Sequence, residues 1–132
     1  MRVTLRIGRD LATGELYDNP VADQIAALLP FEATFDDFHD HEKLAPLGHA
    51  LDLDGVPRAD APRPGDIGYY GPSGSLVLYY ASPGRWPGLV RVGRFDHPLD
   101  RLRALPDGTR IRIDIADAAP PGDGPSRGSA RE

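Results

Sequence analysis

Apolar and polar residues alternate at both ends of the chain. In "RVTLRI", residues 2–7, Val3, Leu5 and Ile7 fall on one side and Arg2, Thr4 and Arg6 on the other, the period of two that marks a half-buried strand. "RIRIDI", residues 110–115, repeats the pattern with Ile111, Ile113 and Ile115. Two such ribbons can pair and close a sheet, and closure removes the exposed edges that invite aggregation. The expectation is a barrel with Ile113 facing its interior. "LATGELY", residues 11–17, offers a hairpin partner for the first strand, with Gly14 weakening its middle or marking a bulge.

The period then changes to that of a helix. In "DNPVADQIAALLP", residues 18–30, Asp18 or Asn19 can cap, Pro20 suits the first helical position, and Val21, Ile25, Leu28 and Leu29 form one apolar stripe before Pro30 ends it. "FEATF", residues 31–35, alternates again. The stretch from Gly48 to Pro64 is rich in Asp, Pro, Ala and Gly and reads as an ordered excursion or a lid. "PGD" turns into "IGYYG" and "PSGS" into "LVLYY", which predicts a hairpin over 66–80. Of the adjacent pairs Tyr69-Tyr70 and Tyr79-Tyr80, one ring of each is expected in the core and the other free for a wall outside it. "GLVRVGRFD" reads as a strand and a turn, and "HPLDRLRAL" spaces Leu99, Leu102 and Leu105 for one or two helical turns. From Asp117 onward no apolar period survives, so residues 117–132 are expected to form a disordered tail behind a domain spanning 1–116.

Composition narrows the class. A chain of 132 residues with 40% apolar side chains suits one domain with a single core. Residues 1–66 hold 13 of the 20 acidic and 6 of the 15 basic residues, the net charge is −5, and there is no face-sized basic run. Nucleic acid and anionic membranes are therefore poor partners. Cysteine is absent, which removes disulfides, thiolate metal sites and cysteine nucleophiles together. "MRVTLRIGRD" interleaves charge with apolar residues, and no run approaches the ~18 apolar residues of a membrane helix, so a cytoplasmic protein is expected.

The stretch "DDFHDHEKLAPL", residues 36–47, carries the candidate chemistry. His39 and His41 stand one residue apart and Glu42 follows. On a strand, His-x-His aims both imidazoles at one face, as metal-binding barrels require, with His49 or His97 as remote further ligands. Glu42 would then point to the opposite face, so no metal and no cofactor are expected. Histidine can also exchange a proton near neutral pH, which makes His39, His41 and Glu42 candidates for acid–base work. Glu42 and Lys43 could instead form a salt bridge or a capping contact at the barrel rim. Trp86, in "SPGRWPG", is either a plug over the barrel end or a binding platform. Arg94 could reach a groove, but a structural pairing with Asp96 or an acidic residue of the first half is the preferred reading.

Four blocks in order, "LYDNPVADQIAALLP", "FDDFHDHEKLA", "RPGDIGYYGPSGSLVLYY" and "GLVRVGRFD", resemble a bacterial cyclophilin-like family of small barrel proteins, over residues 2 to 116. The resemblance implies a mainly β fold, a closed cyclophilin-like barrel of about eight strands with one or two short helices over its open ends. It implies no settled activity. True cyclophilins isomerise prolyl bonds with a Phe-His-Arg motif whose arginine weakens amide resonance. The nearest match here is Phe38-His39-Asp40, and a carboxylate cannot lower the ~18–20 kcal/mol rotation barrier in that way. The cyclophilins' Gln-Gly-Gly stretch is also missing. The expected function is binding of a small-molecule or peptide-like ligand in a surface groove walled by Phe38, His39, Tyr70, Tyr79 and Trp86. The competing readings are an enzyme of small-molecule metabolism using His39, His41, Glu42 or Arg94, a prolyl isomerase, and an interaction module without a small ligand.

Overall fold

The computed structural model describes residues 1–116; the segment expected to be a disordered tail lies outside the described residues. In chain order the elements are β1 (Arg2–Ile7), β2 (Asp10–Leu16), α1 (Pro20–Ala26), β3 (Phe31–Phe38), β4 (Glu42–Pro46), β5 (Ala59–Asp60), β6 (Asp66–Tyr70), β7 (Ser75–Tyr79), β8 (Trp86–Pro87), β9 (Leu89–Asp96), α2 (Leu99–Arg103) and β10 (Thr109–Ile115). Eight of the strands form a closed antiparallel barrel in the order β1-β10-β3-β4-β7-β6-β9-β2, while β5 and β8 pair separately as a short ribbon.

The two alternating ribbons meet as their pattern predicts. Val3, Leu5 and Ile7 stand opposite Ile115, Ile113 and Ile111, and all of these except the terminal Ile115 are buried. Leu5 and Ile111 lose all contact with water, and Ile113 does point inward. Burying a side chain of this size contributes about 1.5–3 kcal/mol, so the seam between the first and last strands is a main source of stability.

Gly14 is not a bulge. The β1–β2 register runs through it without interruption, and a Cβ there would lie 2.7 Å from the carbonyl oxygen of Arg94 and 2.9 Å from Cδ1 of Leu5. Glycine at this position lets β9 approach β2 closely. The irregularity of the barrel falls instead between β6 and β9, where the register shifts at Ile67/Gly68.

The helices close the two ends. Asn19 caps α1, its Oδ1 accepting from Ala22 N at 2.8 Å, and Pro20 occupies the first turn. The helix stops at Ala26, short of the full apolar stripe. Leu28 N and Leu29 N bond back to Ile25 O and Ala26 O, a tighter winding that still turns both leucines toward the core. Because α1 joins the end of β2 to the start of β3, and α2 joins the end of β9 to the start of β10, the antiparallel order puts the two helices at opposite ends. The excursion over 48–64 is ordered and packs Leu51, Leu53 and Val56 against the core, tied to α1 by a reciprocal pair between Gln24 and Asp52. At the other end, α2 buries Leu102 completely.

Alternation along the remaining strands decides what faces outward. Tyr69 and Tyr80 join the barrel interior; Tyr70 and Tyr79 point the other way and meet Leu44, Val77 and Leu89 in a second, smaller cluster on the outer face of β4, β7 and β6. Every residue of β7 is buried, so this strand is covered on both faces. Its uninterrupted apolar run, "LVLYY", is the sequence form of that double burial.

Candidate functional site

Over the outer cluster lies a cavity of about 360 Å³, lined by Phe38, His39, His41, Glu42, Leu44, Tyr70, Ser73, Ser75, Tyr79, Pro83, Trp86 and Leu89. Several parts of the chain build it, Tyr70 of β6 and Leu89 of β9 among them. The floor is the outer face of β4 and β7, where Glu42 and Tyr79 are cross-strand partners. One rim is the β3–β4 turn, and another is the loop that carries Pro83 and Trp86.

The turn explains how the histidines arrive there. His39 and Asp40 have φ of 53° and 58°, and His41 N donates to Phe38 O at 3.2 Å. Two successive left-handed residues make a turn whose twist matches antiparallel strands. Histidine and aspartate tolerate that region better than most residues, at about 1–2 kcal/mol per residue. Hence His39 and His41 do not share a strand face, and the His-x-His geometry of a metal-binding strand is absent from this hairpin tip. The Phe38 and His39 rings meet edge-on with centroids 3.9 Å apart. Among the described residues, no group of three or more His, Cys, Asp or Glu is arranged to hold a metal ion.

Asp40 faces away from the cavity. Its carboxylate pairs with Arg103 of α2 at 2.6 Å and lies 3.4 Å from the Tyr80 hydroxyl. The expectation that this carboxylate stands in the groove is therefore corrected: a left-handed turn residue projects its side chain over the barrel end, where α2 supplies a guanidinium. Arg94 is also elsewhere. It is mostly exposed, 3.9 Å from Glu15 in an open depression that also includes Gly65 and Asp96, and it does not join the histidines. Trp86 is no plug; it is half-exposed beside the cavity, its Nε1 donating to Pro83 O at 2.8 Å.

Glu42 and Lys43, neighbours in sequence, part company on β4. Lys43 points inward, fully buried, and its ammonium donates to Leu105 O at 2.7 Å and pairs with Asp37 at 3.3 Å. The capping and salt-bridge roles expected of the pair thus fall to the lysine alone. Glu42 points outward into the cavity. It is 8% exposed and, among the described residues, has no hydrogen-bond or ion-pair partner. Burial, with a smaller contribution from the Asp37 charge, pushes its carboxyl up to about 7. Burial likewise raises the Tyr79 phenol, aided by the Glu42 charge, so this hydroxyl stays protonated and able to donate.

The Tyr79 ring lies on Gly68, where a Cβ would come within 2.6 Å of Cε2. A side chain on β6 at this point would lift the ring and fill the floor. Ser73 and Ser75, linked through their hydroxyls at 3.0 Å, add polar groups that the sequence presented only as turn residues.

The chain matches the family described as "Cyclophilin-like family" over residues 5–114. It belongs to the cyclophilin-like family. None of the curated proteins matches it. A solved structure that resembles this cyclophilin-like barrel is the solution structure of a hypothetical protein from Archaeoglobus fulgidus, with a TM-score of 0.66 and 20% identity over 88% of this chain and 95% of that one. At such identity the likeness speaks for the fold alone. Among the described residues of this cyclophilin-like chain, no arginine lines the cavity, and the Phe38-His39-Asp40 stretch that resembles the cyclophilins' Phe-His-Arg contributes only its first two residues. Among the described residues, no helix is long and apolar enough to cross a membrane.

The position of Glu42 carries a measurable cost. A carboxyl whose folded value lies above its unfolded value of 4.5 destabilises the fold as pH rises between the two, and the penalty is fully present above about 7. Glu42→Gln is expected to raise stability at pH 8 by about 1–2 kcal/mol, an advantage that fades toward pH 4. Urea titrations at the two pH values check this; equal gains at both would show that the glutamate is not held protonated.

Proposed function

We propose that this protein binds a small-molecule or peptide-like ligand in the cavity on the outer face of β4, β7 and β6. The observation that carries the reading is the convergence of Phe38, His39, Tyr70, Tyr79 and Trp86 around one recess, with a few polar groups among apolar walls. Recesses of about 300–1,000 Å³ with this kind of lining are the usual form of ligand sites. Ligand contact with Trp86, the only tryptophan, should change its emission. A screen of metabolites and short peptides is expected to yield saturable changes that Tyr70→Ala weakens. A protein-observed NMR screen with no shifts around the cavity would overturn the reading.

Prolyl isomerase activity does not belong to this proposal. Speeding rotation about a prolyl bond by the cyclophilin route needs a guanidinium donor at the carbonyl oxygen, and among the described residues the lining holds no arginine. Turnover of a prolyl test peptide that survives Glu42→Gln and His39→Ala would contradict this. One observation favours a second reading, an enzyme of small-molecule metabolism: Glu42, with its carboxyl near 7, stands beside two imidazoles and could exchange a proton with a substrate. A metabolite consumed by the native protein but not by Glu42→Gln would establish that reading.

A further inference from the structure

Among the described residues, Glu42 is the one acidic side chain lining the cavity, and no lysine or arginine lines it. A partly desolvated carboxylate without a partner is unfavourable, and a cation entering beside it offsets part of that cost. The surrounding walls suit the same visitor. Phe38, Tyr70, Tyr79 and Trp86 present aromatic surface, whose electron-rich faces attract cations, Trp most strongly. An anionic ligand would meet the Glu42 charge, with only the His39 and His41 imidazoles among the described lining able to turn cationic. A neutral one could hydrogen-bond to Glu42 but would not offset its charge.

We infer that the cavity takes a small organic monocation, an ammonium or methylated ammonium headgroup, with Glu42 as its counter-ion and Phe38, Tyr70, Tyr79 and Trp86 as its aromatic enclosure. This rests on the reading of the cavity as a ligand site and names the chemical class of its ligand. The volume, about 360 Å³, is at the small end for ligand sites, which favours a compact molecule over a long peptide.

Proton linkage follows. With its carboxyl near 7, Glu42 is partly protonated in the empty site, and the cation must displace that proton. Affinity therefore rises with pH through the neutral range and levels off above it. The other titratable groups nearby are His39 and His41 on the β3–β4 turn, Tyr70 on β6, Tyr79 on β7 and Asp37 on β3, the last held by Lys43 on the inner side of β4. Protonation of either histidine would also oppose a cation, so Glu42→Gln is needed to separate the two sources.

Choline and its neutral carbon isostere 3,3-dimethylbutan-1-ol differ in charge at nearly constant shape. Titrated into the full chain while Trp86 emission and binding heat are followed, choline is expected to bind at least tenfold more tightly than the isostere. It should bind more tightly at pH 8 than at pH 6, and Glu42→Gln should shrink both differences, leaving what the aromatic faces and the histidines contribute. Equal binding of the two compounds would overturn the cation assignment while leaving the ligand site standing. Failure of both compounds, together with an empty metabolite screen, would overturn the site itself. Binding of a lysine-containing peptide in place of choline would overturn the small-molecule assignment, and a pH dependence unchanged in Glu42→Gln would overturn the role of Glu42.

Discussion

Asp37→Ala is expected to destabilise the protein by about 3 kcal/mol, because it strands the buried ammonium of Lys43. The lysine side chain is 3% exposed, and Asp37 at 3.3 Å is its only ionic partner among the described residues. Asp37 also accepts from the Tyr80 hydroxyl and from Asp40 N, so its loss releases three donors at once. The figure is at the low end for breaking a buried ion pair because the aspartate itself keeps some water contact. The pH dependence has a definite sign. Burial alone would raise the Asp37 carboxyl, but hydrogen bonds from Tyr80 and Lys43 outweigh it and hold the group below its ordinary 3.8. Its contribution is present above the unfolded value and is lost as pH falls through the lower folded one. The deficit of Asp37→Ala should therefore shrink below about pH 4. Adding Lys43→Met should recover part of the loss at neutral pH, since an apolar side chain needs no counter-charge. A deficit below 1 kcal/mol in urea unfolding would reduce the pair to an ordinary surface salt bridge.

Gly93→Val is expected to cost about 3 kcal/mol, the top of the usual range for overpacking, because the obstacle is backbone. A Cβ at Gly93 would lie 2.2 Å from the Glu15 carbonyl oxygen and 3.1 Å from Cα of Leu16. These belong to β2, the strand against which β9 closes the barrel. A flexible side chain could swing aside, but a carbonyl in a ladder cannot move without breaking hydrogen bonds on both strands. The change should also loosen the first hairpin, so amide exchange at residues 10–16 should accelerate along with the drop in melting temperature. A variant with unchanged melting temperature and exchange would mean that the closing seam tolerates separation, and that barrel closure contributes little.

Much of the barrel was legible along the chain because period-two alternation needs no knowledge of partners. Val3, Leu5 and Ile7 must find an apolar face, and Ile111, Ile113 and Ile115 offer one of equal length, so even their pairing could be anticipated. Asn19 and Pro20 announced α1 through local chemistry alone, since a cap and a first-turn proline depend only on the residues that follow. Alternation likewise required one ring of each tyrosine pair to be inside, and Tyr69 and Tyr80 are the inner ones.

The tertiary structure decided what alternation cannot encode. Gly14 and Gly93 look in sequence like weak points of strands, but a neighbouring strand's backbone fills the space above them. The direction of Asp40 depended on two left-handed residues and on Arg103, 63 positions away. Arg94 went to Glu15 because β9 and β2 are neighbours, an adjacency visible only once the barrel closes. The separation of Glu42 from Lys43 was implicit in the period of two, but its meaning was not. Inside the barrel waited Asp37 and the Leu105 carbonyl for the lysine, and outside it the glutamate met a recess with no lysine or arginine among its described lining. Sequence determines which residues are apolar and how often they recur; which charge is left without a partner is set by what folding brings beside it.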